Sequence, residues 1–421
     1  MLNREQIAAS LPPAQPRPSG QPLALGGIRV IDFTQFVSGP IATLILADLG
    51  ADVIKLESPA GGDSFRKYPP VDPALPTLGA PFLWTNRNKR SVAVDLKSSE
   101  GVELVRQMVA QADVLVENFS TGVMERLGLG YEACAALNPR LVYCSISAYG
   151  RTGKFAGRLG FDSIVMAESG FTAITGYPDR DPVRAGPAVI DISTGLMAGN
   201  AILAALLARH TLGKGQYVEV AMIDTAMTMT GYAAMQVLCS GRDRERSANV
   251  NQEAAPGGMF RAADRAFVIN CGTTKMFQQL FTLFGRSDIA HHPDLQAPMQ
   301  RVHARALIEG IAQENFEKRP WAEWSVLLQE AGIPAGDVRP LREALTAEEV
   351  RERGIVTRVP HPEAGWLPNV ALPLRLRDTP MADPVAGPAL GQHTEEVLRE
   401  LLQMAPIDVQ RLADQGVVAQ G

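Results

Sequence analysis

Short apolar runs recur along the first ~150 residues, each followed by a polar turn and a longer stretch with helical spacing. Gly27–Phe33 (GIRVIDF) reads as a buried strand. Pro40 then stands in the first turn of the helical run IATLILADLG, which Gly50 stops. Asp52–Glu57 (DVIKLE) reads as the next strand and Ser91–Leu96 (SVAVDL) as a third. Ser98 or Ser99 is placed to cap a helix over Glu100–Ala112, with Glu100 and Glu103 in its first turn. Asp113–Val116 (DVLV) reads as a fourth strand. A helix near Tyr131–Leu137 ends before Pro139, and Leu141–Ser147 (LVYCSIS) makes a fifth strand. Strands without polar alternation, separated by helices, predict a parallel sheet covered on both faces.

A long Ala/Leu-rich helix is expected over Ser193–His210, stopped by the glycines of Thr211–Gly215. Gln216–Ala221 is strand-like, and Met-rich Asp224–Cys239 is helical. Ser240–Ala255 is polar and reads as a linker. Phe260–Asn270 predicts a hairpin turning at Ala263–Asp264, several helices run to about Gly354, and a last helix begins near His393. The expected architecture is a doubly wound, Rossmann-like α/β domain over 23–240 and a small α+β domain over 245–330. Residues 331–421 would form a linker and a C-terminal return to the large domain. Ligands of such sheets sit beyond the carboxyl ends of the strands, which makes the polar residues there the ones of interest.

With 46% hydrophobic and 20% charged residues among 421, there is enough apolar material for a sizeable core. The net charge of −5 speaks against a nucleic-acid partner. The longest continuous apolar run, Ala201–Ala208, lies between Asn200 and Arg209 and falls short of the ~18 residues of a membrane span. Met1–Pro22 is polar and proline-rich, unlike a secretory signal, and reads as a flexible arm. Cys134, Cys144, Cys239 and Cys271 show no C-x-x-C spacing, which fits core residues in a reduced cytoplasm. Six scattered histidines, with His291 and His292 adjacent, offer no metal spacing, so no metal is expected.

Several motifs are missing: the G-x-S-x-G elbow, the P-loop, and G-x-G-x-x-G after the first strand. Ser64–Lys67 fits S-x-x-K but lacks that motif's partners, and reads as a loop. The most informative stretch is GPAVIDISTG. In it Asp191 lies between Ile190 and Ile192 at the start of the long helix. There, free backbone N–H groups and the positive end of the helix dipole are expected to keep it ionised. It reads either as an N-cap or as a carboxylate nucleophile. Asn118-Phe119-Ser120 directly follows a strand, with Arg126 nearby. An aromatic and a cation there would suit a nucleotide and its phosphates. Lys97 follows another strand and precedes a capped helix.

The order of segments resembles the class III CoA-transferase family, also called CaiB/BaiF, which includes formyl-CoA transferase, carnitine CoA-transferase and α-methylacyl-CoA racemase. The resemblance runs from about Leu23 to Leu412. It is carried by VIDFTQFVSGPIATLILADLGADVIKLE, NRNKRSVAVDLKSSEG, ADVLVENFSTGVMERLGLGY, LNPRLVYCSISAYGRTG, DISTGLMAGNAILAALLARHTLGKGQYVEVAMID and LGQHTEEVLREL. It implies an enzyme with coenzyme A, as acyl-CoA, for a substrate. It also implies that Asp191 is the catalytic aspartate, attacking the thioester and then carrying CoA as an aspartyl thioester. Backbone N–H groups beside it would stabilise the oxyanions. The family's CoA contacts fall on Phe36, Val37, Ser38, Ser58, Val94, Asp95, Leu96, Lys97, Asn118, Phe119, Ser120, Arg126, Leu159, Gly160, Phe161, Asp162 and Met222. Lys97 and Arg126 would meet phosphates.

Two departures shape the expectation. Ser58 stands where formyl-CoA transferase has an arginine, which leaves stacking on adenine at that point open. Phe161 stands where the racemases have a histidine and formyl-CoA transferase a tyrosine, and Pro256-Gly257-Gly258 is too short for the latter's glycine loop. Phenylalanine moves no proton, so transfer is expected rather than racemisation, with an acid larger or more apolar than oxalate. Benzylsuccinate- or mesaconate-type acids are candidates, with succinyl-CoA as donor. Arg151, Arg158 and Arg184 are candidates to hold a substrate carboxylate. The family forms interlocked dimers, so a homodimer or a heteromer with a homologous subunit is expected. The alternatives are a racemase or isomerase on the same fold and a non-catalytic subunit of a heteromeric transferase.

Overall fold

The computed structural model of the protein describes residues 4–71, 75 and 78–421. Two compact units are present. The first combines Met1–Ser169, Gly186–Gly231 and Thr346–Gly421; the second combines Gly170–Ala185 and Tyr232–Leu345.

In the first unit β1 (Arg29–Asp32), β2 (Asp52–Glu57), β3 (Lys89–Val94), β4 (Val114–Glu117), β5 (Val142–Ser147) and β6 (Tyr217–Ala221) are all parallel, in the spatial order 3-2-1-4-5-6. That is the order of a doubly wound nucleotide-binding sheet, with its switch point between β1 and β4. The helices in chain order are α1 (Arg4–Ser10), α2 (Ser38–Asp48), α3 (Ala80–Thr85), α4 (Ser99–Val109), α5 (Val123–Arg126), α6 (Tyr131–Leu137), α7 (Asp162–Glu168), α8 (Val189–Leu212) and α9 (Met222–Met229). Ser98 caps α4 by accepting from Glu100 N and Gly101 N, as its place before the helix predicts.

The inner strands are largely apolar on both faces because both are covered, while the edge strand β6 is only partly buried. Ile31, Ile54 and Leu115 pack with Leu104, Val105 and Met108 of α4 and with Val397 and Leu398 of the Thr394–Leu402 helix. Their strand neighbours Val30, Val53, Val114 and Val116 pack on the other side with Ala42 and Leu46 of α2 and Ala198 and Ile202 of α8. Helices α2 and α8 approach closely at Gly195. A Cβ there would lie 2.6 Å from the Ser38 carbonyl oxygen and 2.8 Å from Ile41 Cβ.

Helix α8 corrects the reading of the apolar runs. At 24 residues with a mean hydropathy of 1.6 over its best window, it is long and apolar enough to cross a membrane by length and composition. The polar residues that interrupt it do not break its helical continuity. Here it lies packed on α2, β5 and β6.

Residues 4–14, read from sequence as part of a flexible arm, are docked; Met1–Asn3 of that arm lie outside the described residues. Ala8 and Leu11 are buried, Ala14 N donates to Arg358 O at 3.0 Å, and Arg358 N donates to Pro12 O at 3.0 Å. The helix expected over Asp224–Cys239 is two helices, because Gly231 adopts a positive φ of 57° between α9 and α10 (Tyr232–Ser240).

The second unit contains the whole 245–330 segment expected as a small domain, and adds the 170–185 stretch, α10 with the residues after it, and 331–345, so the return to the large domain begins at Thr346 rather than at 331. Its sheet consists of the predicted hairpin, β7 (Gly257–Arg261) and β8 (Ala266–Asn270), with β9 (Ala335–Asp337) antiparallel to β8. Its core is aromatic: Phe260, Phe267, Phe277, Phe281, Phe316 and Trp324 are all buried in one cluster. Back in the first unit, β10 (Val356–His361) and β11 (Gly365–Val370) form an antiparallel hairpin. Finally β12 (Val418–Ala419) pairs antiparallel with β3 and closes that edge of the large sheet.

Candidate active site

Every segment singled out for CoA follows one of the six parallel strands. Phe36–Ser38 follow β1, Ser58 follows β2, Val94–Lys97 end β3, Asn118–Ser120 follow β4, Leu159–Asp162 lie beyond β5 and Met222 directly follows β6. All therefore stand toward the carboxyl edge of one sheet, where doubly wound folds bind ligands.

The β1 and β4 loops are tied together across the switch point. Asn118 Oδ1 accepts from Gln35 N at 2.9 Å, and Asn118 Nδ2 donates to Gln35 O at 2.8 Å. The next residue, Phe36, has a left-handed φ of 65°, a conformation that costs about 1–3 kcal/mol in a non-glycine residue. Its ring packs edge-on against Phe65 at 5.5 Å and Phe161 at 6.3 Å.

A buried ionic network lies beneath this loop. Asp32 accepts from Thr34 N and Oγ1 with one oxygen, and from Thr43 Oγ1 and Lys89 Nζ with the other. Lys55 Nζ donates to Thr34 O at 2.6 Å and pairs with Asp63 Oδ2 at 3.1 Å. Asp63 Oδ1 in turn accepts from Phe65 N at 3.0 Å. Burial alone would raise the Asp32 carboxyl, but Lys89, Lys55 and the two threonine hydroxyls hold it below the usual range. Burial pushes Lys89 down to about 8, against the pull of Asp32.

Asp191 occupies the third position of α8, after Ala188, which caps the helix without a side-chain hydrogen bond. The free N–H groups expected around it are already engaged. Val189 N donates to Pro187 O and Ile192 N to Ala188 O, both within the local chain. Ile190 N and Asp191 N both donate to Asp162 Oδ2, at 2.8 and 3.1 Å. Asp162 thus caps α8 from a different helix. Among the described residues no donor reaches the Asp191 carboxylate. Burial, with the like charge of Asp162 added, pushes Asp191 up to about 7. This runs against the sequence expectation that the helix start helps keep it ionised. The helix terminus does favour a carboxylate, but Asp162 is the one it serves.

A half-buried, basic carboxylate without donors, at the ligand edge of a nucleotide-type sheet, suits covalent catalysis. Comparison with known proteins identifies the setting. The sequence profile described as CoA-transferase family III matches residues 25–394. The chain belongs to CoA-transferase family III. It is 34% identical to mouse (Mus musculus) succinyl-CoA:glutarate CoA-transferase over 396 residues, 94% of this chain and 90% of the relative. It is also 34% identical to the alpha subunit of succinyl-CoA–L-malate CoA-transferase from Chloroflexus aurantiacus, over 97% of this chain and 96% of that one. The crystal structure of a CAIB/BAIF family protein from Brucella suis superposes with a TM-score of 0.82 at 34% identity, covering 90% of this chain and all of that one.

Within this family III CoA-transferase, the residues expected at the ligand edge fall into three groups. Lys97, Ser120 and Arg126 are exposed, and Lys97 and Arg126 have no ion-pair partner among the described residues. Ser58, Leu159 and Phe161 are also exposed, while Phe36, Asp95, Leu96, Asn118, Phe119 and Gly160 are partly buried. Val37, Ser38, Val94, Asp162 and Met222 are buried. The Asn118 amide is engaged with Gln35 on two sides, and the Asp162 carboxylate with α8, so both build the site's frame.

The arginines considered for a substrate carboxylate are placed differently. Arg151 is engaged with Glu117, Ser145 Oγ and the carbonyls of Phe119 and Ile146. It therefore locks the β4 and β5 ends rather than offering a free cation. Arg158 pairs with Glu168 and lies over the Tyr149 ring at 4.7 Å. Arg184 is exposed in the second unit. Sequence reasoning missed Asp32, Lys55, Asp63 and Lys89. The signal for the first two was there: a charge set inside an apolar strand, as in GIRVIDF and DVIKLE, has to be paired.

Proposed function

We propose that this chain transfers CoA from succinyl-CoA to an aliphatic dicarboxylic acid of four or five carbons, with Asp191 as the nucleophile. The observation that carries the reading is the donor-free, basic carboxylate of Asp191 at the start of α8. The substrate class is drawn from the relatives named for glutarate and malate. Both acids are longer than oxalate, in keeping with the more apolar setting that Phe161 provides.

Asp191 attacks the thioester carbonyl of the donor. The C–S bond breaks, CoA thiolate leaves, and a mixed anhydride of Asp191 and the donor acid remains. The thiolate attacks the Asp191 carbonyl, expelling the donor carboxylate and leaving an aspartyl-CoA thioester. The acceptor carboxylate then attacks that thioester, displacing the thiolate and forming a second anhydride. The thiolate attacks the acceptor acyl carbon, which frees Asp191 and releases the new acyl-CoA. Thioester energy is conserved throughout, provided water is kept out. In this reading Lys97 and Arg126 meet CoA phosphates, and the loops after β1, β3 and β4 line its path. The interlocked dimer that the resemblance implies, of identical or homologous chains, belongs to the same proposal. Phe161 carries no titratable proton, which favours transfer over two-base racemisation.

The test is a trap. The protein is incubated with succinyl-CoA and hydroxylamine, and the peptide carrying residues 189–209 is mapped by mass spectrometry. A hydroxamate on Asp191, absent without succinyl-CoA, supports the covalent route. Turnover of succinyl-CoA with glutarate or malate and no modification of Asp191 would overturn it.

A further inference from the structure

We propose that Asp162 is a positioning residue that makes Asp191 the stronger nucleophile in two ways: it occupies the helix-start donors that would otherwise serve the Asp191 carboxylate, and it sets a like charge beside that carboxylate. The proposal rests on the reading of Asp191 as the nucleophile. Asp162 is the first residue of α7, buried beside the exposed Phe161 ring. Its single oxygen Oδ2 receives both N–H groups that α8 leaves unpaired at its second and third positions. With Val189 N and Ile192 N bonded locally, the four leading N–H groups of α8 are all accounted for. The positive end of a long helix therefore faces a neighbouring carboxylate, and the Asp191 carboxylate sits in the same turn without benefit from it.

A carboxylate that accepts helix-start N–H bonds becomes a weak base and a poor nucleophile; one denied them stays basic. The elements packed most extensively against α8 carry the further acids Asp48 (α2), Glu168 (α7), Asp224 (α9) and Glu219 (β6), and β5 none; β1, β2 and β4, which meet α8 through valines, carry Asp32, Asp52, Glu57 and Glu117, and Asp113 pairs with Arg209 of α8. Glu168 is paired with Arg158, and Glu219 accepts from Arg151 N. Of all these, only Asp162 acts on Asp191 through its charge. The same two hydrogen bonds also fix the rotation of the first turn of α8, which aims the Asp191 side chain.

Asp162→Asn keeps an acceptor oxygen in place and removes the charge. Asp162→Ala removes both. Two readouts apply to each variant and to the unaltered protein: the pH profile of kcat/KM for succinyl-CoA, and the titration of the Asp191 carboxyl by isotope-edited infrared difference spectroscopy against Asp191→Asn. The expected result is a carboxyl titrating near pH 7 in the unaltered protein. In Asp162→Asn it moves down by about one unit, a tenfold change in proton affinity, and the acid limb of the profile moves with it. Above that limb kcat falls while KM stays within about twofold. A carboxyl titration and acid limb that stay in place in Asp162→Asn would overturn the proposal, whatever happens to activity. If the unaltered protein transfers no CoA, the functional reading fails, and the infrared titration of Asp162→Asn still decides the role of Asp162. Should Asp162→Ala not fold, Asp162→Asn alone suffices.

Discussion

Asn118 holds the peptide of Gln35 at both ends, accepting from its N–H and donating to its carbonyl. This one side chain bridges the loops after β1 and β4 at the switch point of the sheet, beside the left-handed Phe36. Asn118→Ala leaves both Gln35 groups without that partner, at a cost of about 1–3 kcal/mol. Because the loop is expected to line the CoA path, the KM for succinyl-CoA should rise more than kcat falls. Steady-state kinetics together with a urea titration measures both effects.

Asp191→Asn should abolish transfer and stabilise the fold. In the unfolded chain Asp191 loses its proton near 3.8, and in the folded protein near 7. The folded state therefore binds the proton more tightly. The stability contributed by this group is fully present below the unfolded value and is lost as pH rises toward 7. At about 1.4 kcal/mol per pKa unit, the penalty above neutrality is on the order of 4 kcal/mol. Thermal melts should show Asp191→Asn above the unaltered protein on the alkaline side of pH 7 and level with it near pH 4.

Asp32 and Lys89 form a fully buried pair at 3.0 Å. Asp32→Ala leaves Lys89 and Lys55 without their shared counter-charge and should cost about 3–5 kcal/mol. The double variant Asp32→Leu, Lys89→Met should recover much of that loss, since replacing a whole buried pair by apolar groups is often neutral. Denaturant midpoints of the two variants test the contrast.

Arg151 is the partner of a buried carboxylate. Burial raises the Glu117 carboxyl, and Arg151 opposes that rise. Arg151→Ala should therefore lower the melting temperature markedly, in the range of a broken buried pair at about 3–5 kcal/mol. In whatever enzyme folds, the KM for the acceptor acid should be unchanged. A rise in that KM alone, without loss of stability, would return Arg151 to the list of substrate-binding groups.

Gly195→Leu should be tolerated poorly. Even the Cβ would lie 2.6 Å from the Ser38 carbonyl oxygen, and backbone on both helices has to move. Overpacking of this kind costs about 1–3 kcal/mol. The displacement falls one turn from Asp191, so kcat should drop together with the melting temperature.

Legibility from sequence followed the range of the interactions involved. The inner parallel strands were readable because short apolar runs mark burial on both faces, whereas the edge strand β6 alternates exposed and half-buried residues around Glu219. Ser98 was readable because a cap is local. The α9–α10 break was missed because Gly231 inside an otherwise helical stretch does not by itself announce a positive φ. Strand β12 has two residues and exists only through its pairing with β3. At the candidate site Asp191 was visible as an acid between isoleucines at a helix start. Its protonation state was misjudged because Asp162, 29 positions earlier, takes the donors. No local pattern in GFDSIV says that its aspartate caps another helix.

The pairing of β12 with β3 has a consequence for how the chain is made. Val418 meets Val94, so about 320 residues emerge from the ribosome between the two partners. At roughly 5–20 residues per second, the outer rim of β3 waits from about a quarter of a minute to a minute for its cover. During that interval the nascent chain presents open backbone groups to any other extended segment nearby. The yield of folded protein should therefore respond to the speed of translation as well as to the stability of the finished fold.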